Sequence, residues 1–216
     1  MYHVNVSGPV IIYIMFLVGI ISESMTGVIS SSRRNMDIFG VITIAITTAL
    51  GGGIVRDVLL GNLPVTMIVH PHYIVICFFA SIIAILTKKY ISKFYKVFLI
   101  LDSIGLISFA YIGSNVSYQI CTYNFNMNFF SVLIVGIVIA ILNGVAGGIM
   151  RDMICNDIPV AFKEELYAST AGIIGAMNVI CMYFKFNLYL SVILIISVGL
   201  ILRIMAIIYK WKLPIV

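Results

Sequence analysis

The sequence predicts an all-α integral membrane protein with seven transmembrane helices, built as two inverted three-helix repeats followed by a seventh helix. Three observations carry that prediction. The chain is 62% hydrophobic and only 10% charged, with a mean hydropathy of +1.16, whereas soluble domains carry about a quarter charged residues. Its apolar residues gather into runs of spanning or near-spanning length, about 17–25 residues with their flanks. One motif, glycines followed by an arginine and an aspartate, is written twice: GGGIVRDVLL from Gly51 to Leu60 and GGIMRDMI from Gly147 to Ile154.

The seven runs cover roughly 9–30, 37–60, 72–88, 96–117, 129–152, 165–184 and 188–209. The first, PVIIYIMFLVGIISESMTGVI, carries Glu23 well inside it, and the second holds Gly51, Gly52 and Gly53 past its middle. The third, YIVICFFASIIAIL, ends in the lysine-rich TKKYISKFYK, and the fourth has Asp102 near its start. The fifth repeats the glycine motif, Lys185 separates the sixth from the seventh, and the seventh contains Arg203. The connections are too short for a soluble domain, so residues 1–216 read as a single membrane domain. MYHVNVSGPV at the start lacks a basic segment and a small-residue cleavage site, so no removable signal peptide is read there.

Loop charge sets the expected orientation. Arg33, Arg34, Lys88, Lys89, Lys93, Lys96, Lys163, Lys210 and Lys212 fall on one side, and only Lys185 on the other. Basic residues concentrate on the cytoplasmic side, so the N-terminus is expected outside and the C-terminus in the cytoplasm. The same placement explains the net charge of +5 without nucleic acid as a partner; the partner implied is the lipid bilayer.

The doubled motif organises the rest. At an offset of 95, Gly52–Val65 and Gly147–Val160 are identical at seven of fourteen positions, including Arg56/Arg151, Asp57/Asp152, Pro64/Pro159 and Val65/Val160. Upstream, GIISESMTG (Gly19–Gly27) echoes GLISFAYIG (Gly105–Gly113) at an offset of 86. The repeats are therefore spans one to three (9–90) and four to six (96–185), with 188–216 as the seventh span and tail. Three is odd, so the copies lie in opposite orientation, as in many transport proteins with a path near the pseudo-two-fold axis.

Glycine costs about 1 kcal/mol relative to alanine inside a helix. Gly51, Gly52 and Gly53, and Gly147 and Gly148, are therefore expected to kink or break their helices toward a polar interior. The structural alternative is close helix packing, for which Gly144 and Gly148 make a small-xxx-small pattern. Neighbouring residues point about 100° apart on a helix. Arg56 and Asp57 are accordingly expected to be poor partners, with Arg56 approaching Asp152 and Arg151 approaching Asp57 across the axis. Intramembrane charges are functional candidates because their burial is costly. Glu23 is expected to face a cavity or be protonated, Asp102 to neutralise a neighbouring helix, and Arg203 to snorkel to the inner surface. His70 and His72 around Pro71 read as a solvated outer turn. The four cysteines lack CxxC spacing, so neither disulfides nor a metal site is indicated. No catalytic or cofactor motif is present, and neither an enzyme nor a cofactor is expected.

MDIFGVITIAITTALGGGIVRDVLLGNLPV (Met36–Val65), FLILDSIGLISFAYIG (Phe98–Gly113) and GGIMRDMICNDIPV (Gly147–Val160) resemble the trimeric intracellular cation (TRIC) channel family. The resemblance is closest to its prokaryotic branch, also labelled with a glycine-transporter domain. It implies a homotrimer in a prokaryotic plasma membrane, conducting monovalent cations, chiefly potassium. Each protomer would have a pore bounded by kinked second and fifth spans. Gly51, Gly52, Gly53, Gly147 and Gly148 would be the kinks, with Arg56, Asp57, Arg151, Asp152 and Glu23 at or beside the pore. Ala146 replaces the third glycine of the second cluster, so that kink is expected to be stiffer. From the residues themselves three readings stay open: a passive cation channel, a secondary transporter of a small solute such as glycine, and a non-conducting structural membrane protein.

Overall fold

Each apolar run becomes a helix, and polar residues mark the ends. The computed structural model of the chain describes residues 9–91, 95–163 and 166–209, with the side chains of residues 88–91 and 95 left out. The long helices are α1 (Val10–Ser31), α2 (Ile38–Leu60), α4 (His72–Ile91), α5 (Tyr95–Gln119), α6 (Phe129–Ile154), α8 (Tyr167–Tyr183) and α9 (Leu188–Tyr209). Two four-residue helices, α3 (Thr66–Val69) and α7 (Val160–Lys163), follow the two motif copies. Side chains of Lys88, Lys89, Lys93, Lys210 and Lys212, which enter the orientation argument, lie outside the described residues.

Capping explains the boundaries of the two motif helices. Asp37 accepts a hydrogen bond from Gly40 N at 2.7 Å and Asn128 from Ser131 N at 2.9 Å, which satisfies amides left without partners at a helix start. At the other ends, Gly61 (φ 64°) and Asn156 (φ 55°) take the left-handed conformation that closes a helix C-terminus. These two residues are related by the same offset of 95 as the motif.

Among the described residues, five helices are long and apolar enough to cross a membrane, and His72–Thr87 and Tyr167–Tyr183 are shorter apolar helices. The core centres on α5, where Leu106, Ala110, Tyr111 and Ile112 are fully buried. The outer surface is apolar instead of charged: Phe39 is 79% exposed, Leu86 75% and Phe130 74%. Apolar exposure on that scale is unstable in water and fits a hydrocarbon surround, so the molecule is an integral membrane protein.

α2 and α6 cross antiparallel, with residue numbers rising on one helix as they fall on the other. A Cβ on Gly52 would collide with the Asn143 carbonyl, and one on Gly147 with the Thr48 carbonyl. These glycines are the places where two helix backbones touch. This corrects the expectation of broken helices, because both helices run uninterrupted through their glycines. Backbone groups stay hydrogen-bonded within each helix, and the missing side chains give close approach, as small residues do between membrane helices. α1 and α5 exchange contacts in the same reciprocal way: Gly19 packs on Phe109 and Gly105 on Glu23, while Gly27 meets Thr48 and Gly113 meets Asn143.

An ion pair between Arg34, just after α1, and Asp157, just after α6, brings those helix ends to one face. The guanidinium holds the exposed Asp157 carboxyl below its usual range and is itself held charged.

The crossing predicts a contrast between adjacent residues. Gly52→Ala should cost about 1–3 kcal/mol, as overpacking does, and lower the thermal midpoint in detergent. Gly53→Ala should leave it unchanged or raise it slightly, because the nearest atom to a Cβ there is Arg56 Nη2 at 3.8 Å and alanine suits a helix interior better than glycine.

Candidate functional site

Each motif copy ends in a buried arginine and aspartate, and in each copy the pair closes on itself. Arg56 Nε donates to Asp57 Oδ1 at 2.9 Å and Nη2 lies 2.7 Å from the same oxygen. Arg151 Nε donates to Asp152 Oδ1 at 2.7 Å and Nη2 to Oδ2 at 3.2 Å. The adjacent pairing overturns the expected cross-axis one. Each guanidinium lies over the glycine three residues back, Arg56 over Gly53 and Arg151 over Gly148, and the flexible stem turns toward its neighbour. Cross-axis pairing is also out of reach. With Thr48 opposite Gly147 and Gly52 opposite Asn143, Arg56 and Arg151 stand twelve residues apart along the antiparallel axes, roughly 18 Å at 1.5 Å per residue.

The aspartates have a second task. Asp57 Oδ2 accepts from Thr66 N at 2.7 Å, and Asp152 Oδ2 from Val160 N at 2.8 Å. These amides open α3 and α7, so each carboxylate ties the end of a long helix to the start of the next short one. Asn62 Nδ2 also donates to Asp57 Oδ1 at 3.3 Å, and Arg56 Nη2 to Thr66 Oγ1 at 3.1 Å.

Beyond this shared frame the sites differ. In the second half Arg151 Nη1 donates to Asp102 Oδ1 at 2.7 Å and to Thr26 Oγ1 at 3.0 Å, and lies 3.7 Å from Glu23 Oε2. Its guanidinium carbon sits 4.9 Å above the Phe98 ring. Asp102 on α5 thus pairs with Arg151 on α6, and Glu23 lies beside the same guanidinium. Arg203 does not snorkel: it is fully buried, donates from Nε to Ser103 Oγ at 3.2 Å, and stacks 4.7 Å over Tyr167. Packing of α9 on α5 and α8 covers the side chain before it can reach the surface.

The first half has no carboxylate corresponding to Asp102 or Glu23. Among the described residues, Arg56 Nη1 has no hydrogen-bond partner, and neither has Tyr73 Oη or Asn143 Oδ1. All three residues line one narrow cleft with Phe16, Phe109 and Thr66. Sequence reasoning singled out Arg56 but missed Tyr73, Thr66 and Asn143. Thr66 directly follows the repeated Pro-Val pair, and Asn143 lies one residue before Gly144; those were the available signals.

The family model described as "Glycine transporter" matches residues 13–89 and 99–184. The UPF0126 inner membrane protein YadS of Escherichia coli K12 is 30% identical over 94% of this chain and 95% of its own length. A chain solved in a study of conductance through TRIC cation channels is 32% identical, covers 94% of this chain and 96% of its own, and superposes with a TM-score of 0.80. The TRIC orthologue from Rhodobacter sphaeroides, 23% identical, shares the fold with a TM-score of 0.84 over 94% of this chain and all of its own.

The unequal surroundings predict unequal sensitivity. Asp57→Asn leaves Arg56 without a carboxylate among the described residues, and breaking a buried pair costs about 3–5 kcal/mol. Asp152→Asn leaves Arg151 with Asp102 and Glu23 and should cost distinctly less. Thermal unfolding of the two variants in one detergent measures the difference, and the reverse order contradicts this account.

Proposed function

This chain belongs to the glycine-transporter family of membrane proteins, the UPF0126 group, and from that premise we propose that it is a cation channel. The observation that carries this reading is 32% identity, along 94% of the chain, to a protein from the TRIC conductance study. The finer reading is a potassium-permeable homotrimer with a pore in each protomer. It has seven spans, the shorter α4 and α8 included, with the N-terminus outside. Exposed Arg33, Arg34 and Lys163 on the inner side support that orientation.

The inverted repeat finds support in the exchanged contacts: Gly52 on Asn143 with Gly147 on Thr48, and Gly19 on Phe109 with Gly105 on Glu23. Repeat one is 9–90, repeat two 96–185, and 188–216 packs beside them. The path runs beside α2 and α6, next to the crossing formed by Gly51, Gly52, Gly53, Gly147 and Gly148. Arg56 with Asp57 closes one end, and Arg151 with Asp152, Asp102 and Glu23 the other. A guanidinium in the path repels cations, and its pairing with a carboxylate both cancels that charge and fills the space. Opening then requires the guanidinium to move aside, which makes each pair a gate. No ring of backbone carbonyls of the potassium-filter type is written in the sequence, so selectivity among monovalent cations is modest.

A second reading, transport of a small solute such as glycine, is favoured by the description of the matching family model and by the free guanidinium nitrogen of Arg56.

Single-channel recording of purified protein in a planar bilayer under a potassium chloride gradient tests the proposal. Discrete openings reversing near the potassium potential, altered by Arg56→Ala and Asp57→Ala, are expected. A silent bilayer together with saturable glycine uptake into liposomes from the same preparation overturns the channel in favour of the transporter.

A further inference from the structure

The two halves differ at the positions that decide what their arginines face. At the offset of 86, Phe16 corresponds to Asp102 and Phe109 to Glu23. Arg56 therefore has one carboxylate, Asp57, with two phenyl rings in the cleft beside it, and its charge is balanced. Arg151 has three carboxylates, Asp102 and Asp152 at 2.7 Å and Glu23 at 3.7 Å.

The titratable and charged groups around Glu23 are Asp102 on α5, Arg151 and Asp152 on α6, and Tyr167 on α8, with Arg203 of α9 stacked on Tyr167. Against the same stretch of α1, α2 places Ala45 and Thr48, and α4 the Cys77 carbonyl. With Arg203 counted beside Arg151, three carboxylates meet two guanidinium groups, and all five are buried. One negative charge is left over where water cannot screen it, a state that buried groups avoid by taking up a partner or a proton.

Hydrogens are short there as well. Nη1 of Arg151 carries two, and they go to Asp102 Oδ1 at 2.7 Å and Thr26 Oγ1 at 3.0 Å. Glu23 Oε2, at 3.7 Å, receives neither. The Thr26 hydroxyl carries one hydrogen but stands 2.8 Å from the Glu23 backbone carbonyl and 3.0 Å from Glu23 Oε2. The carbonyl, at the shorter distance, takes it. The contact between Thr26 Oγ1 and Glu23 Oε2 then holds two oxygens and no hydrogen unless the carboxyl brings one. Asp102 Oδ2, also buried, has no donor among the described residues. Charge and hydrogen counts, taken separately, come up short of the same thing.

We propose that this second arginine site binds one exchangeable proton, carried on Glu23 Oε2 and donated to Thr26 Oγ1. With it Glu23 is neutral, and the two remaining carboxylates match the two guanidinium groups. Packing favours a proton over a metal ion in this role, since Glu23 Oε1 lies so close to Gly105 that a Cβ there would stand 2.2 Å away. Loss of the proton at alkaline pH puts an unbalanced charge beside Arg151 and draws the guanidinium from Asp102, so α1, α5 and α6 loosen together. The first half, balanced by Asp57 alone, has no such dependence. The site does not rest on ion conduction.

Infrared spectroscopy of the full-length protein in detergent tests it. At neutral pH the wild type should show the carbonyl stretch of a protonated carboxyl, shifted in heavy water and lost at alkaline pH. Glu23→Gln keeps the shape without the charge and should lack that band. Thermal unfolding gives a second reading. A proton kept by the folded chain and released on unfolding makes stability fall as pH rises, about tenfold in the folding constant per pH unit. That fall should run from the ordinary glutamate range up to the pH at which the band is lost, and Glu23→Gln should be free of it. If Glu23→Gln does not fold, Asp102→Asn replaces it: with one carboxylate removed the charges balance, Glu23 ionises and the band is lost. A wild type without the band, its charge then balanced by a bound cation, overturns the proposal. So does a band that persists in Glu23→Gln or Asp102→Asn, or the same pH dependence of stability in wild type and Glu23→Gln. Neither reading uses ion current, so failure of this site and failure of the channel reading are distinguishable.

Discussion

At the crossing of α2 and α6, helix backbone lies against helix backbone, and that contact fixes the position of everything functional in this molecule. Thr48 and Asn143 present carbonyls to Gly147 and Gly52, leaving no space for even a methyl group. Because the helices are antiparallel, the residues after each glycine run are carried away from the crossing in opposite directions. The two arginines finish far apart, each beside the short helix that follows its own long one. A wider crossing would separate α1 and α5 from the motif helices too, since Gly27 rests on Thr48 and Gly113 on Asn143.

Burying a guanidinium is tolerable only when its charge and donors are met. Both halves meet the first requirement identically, through the aspartate one residue on, which also anchors the next helix. They meet the second differently. Arg151 places its remaining nitrogen on Asp102 and Thr26, and Arg56 has one nitrogen without a partner among the described residues. The two motif copies thus share the structural use of Arg-Asp and differ in their surroundings, carboxylates around one and phenyl rings around the other.

How far the sequence could be read follows from the range of the forces involved. Apolar runs are set by the bilayer, so all seven long helices coincide with the runs read from hydropathy, to within a few residues. α3 and α7 were invisible because four residues hold no periodicity; aspartates eight and nine residues upstream help hold them. The glycine runs were read as weak points from helix propensity, which ignores what lies opposite. Across a backbone contact the absent side chain is itself the reason the helix stays in place. The Arg-Asp pairing was misjudged by reasoning from Cα directions, since a long guanidinium stem is not bound by them. Arg203 was placed at the surface by its closeness to the inner end of the seventh span, although α5 and α8 enclose it. Glu23 and Asp102 were picked out as charges in apolar surroundings, but only the fold reveals that they share Arg151.

The central claim is that one motif, used twice, faces opposite sides of the membrane. Leu63 and Ile158 stand at equivalent positions of the two copies and are equally exposed, at 63% each. The most direct measurement replaces Cys77, Cys121, Cys155 and Cys181 by serine and introduces Leu63→Cys or Ile158→Cys singly. Each is then labelled with a membrane-impermeant maleimide in intact cells or right-side-out vesicles. The account predicts labelling of Leu63→Cys from outside and of Ile158→Cys only after permeabilisation. Labelling of both from the same side would contradict it.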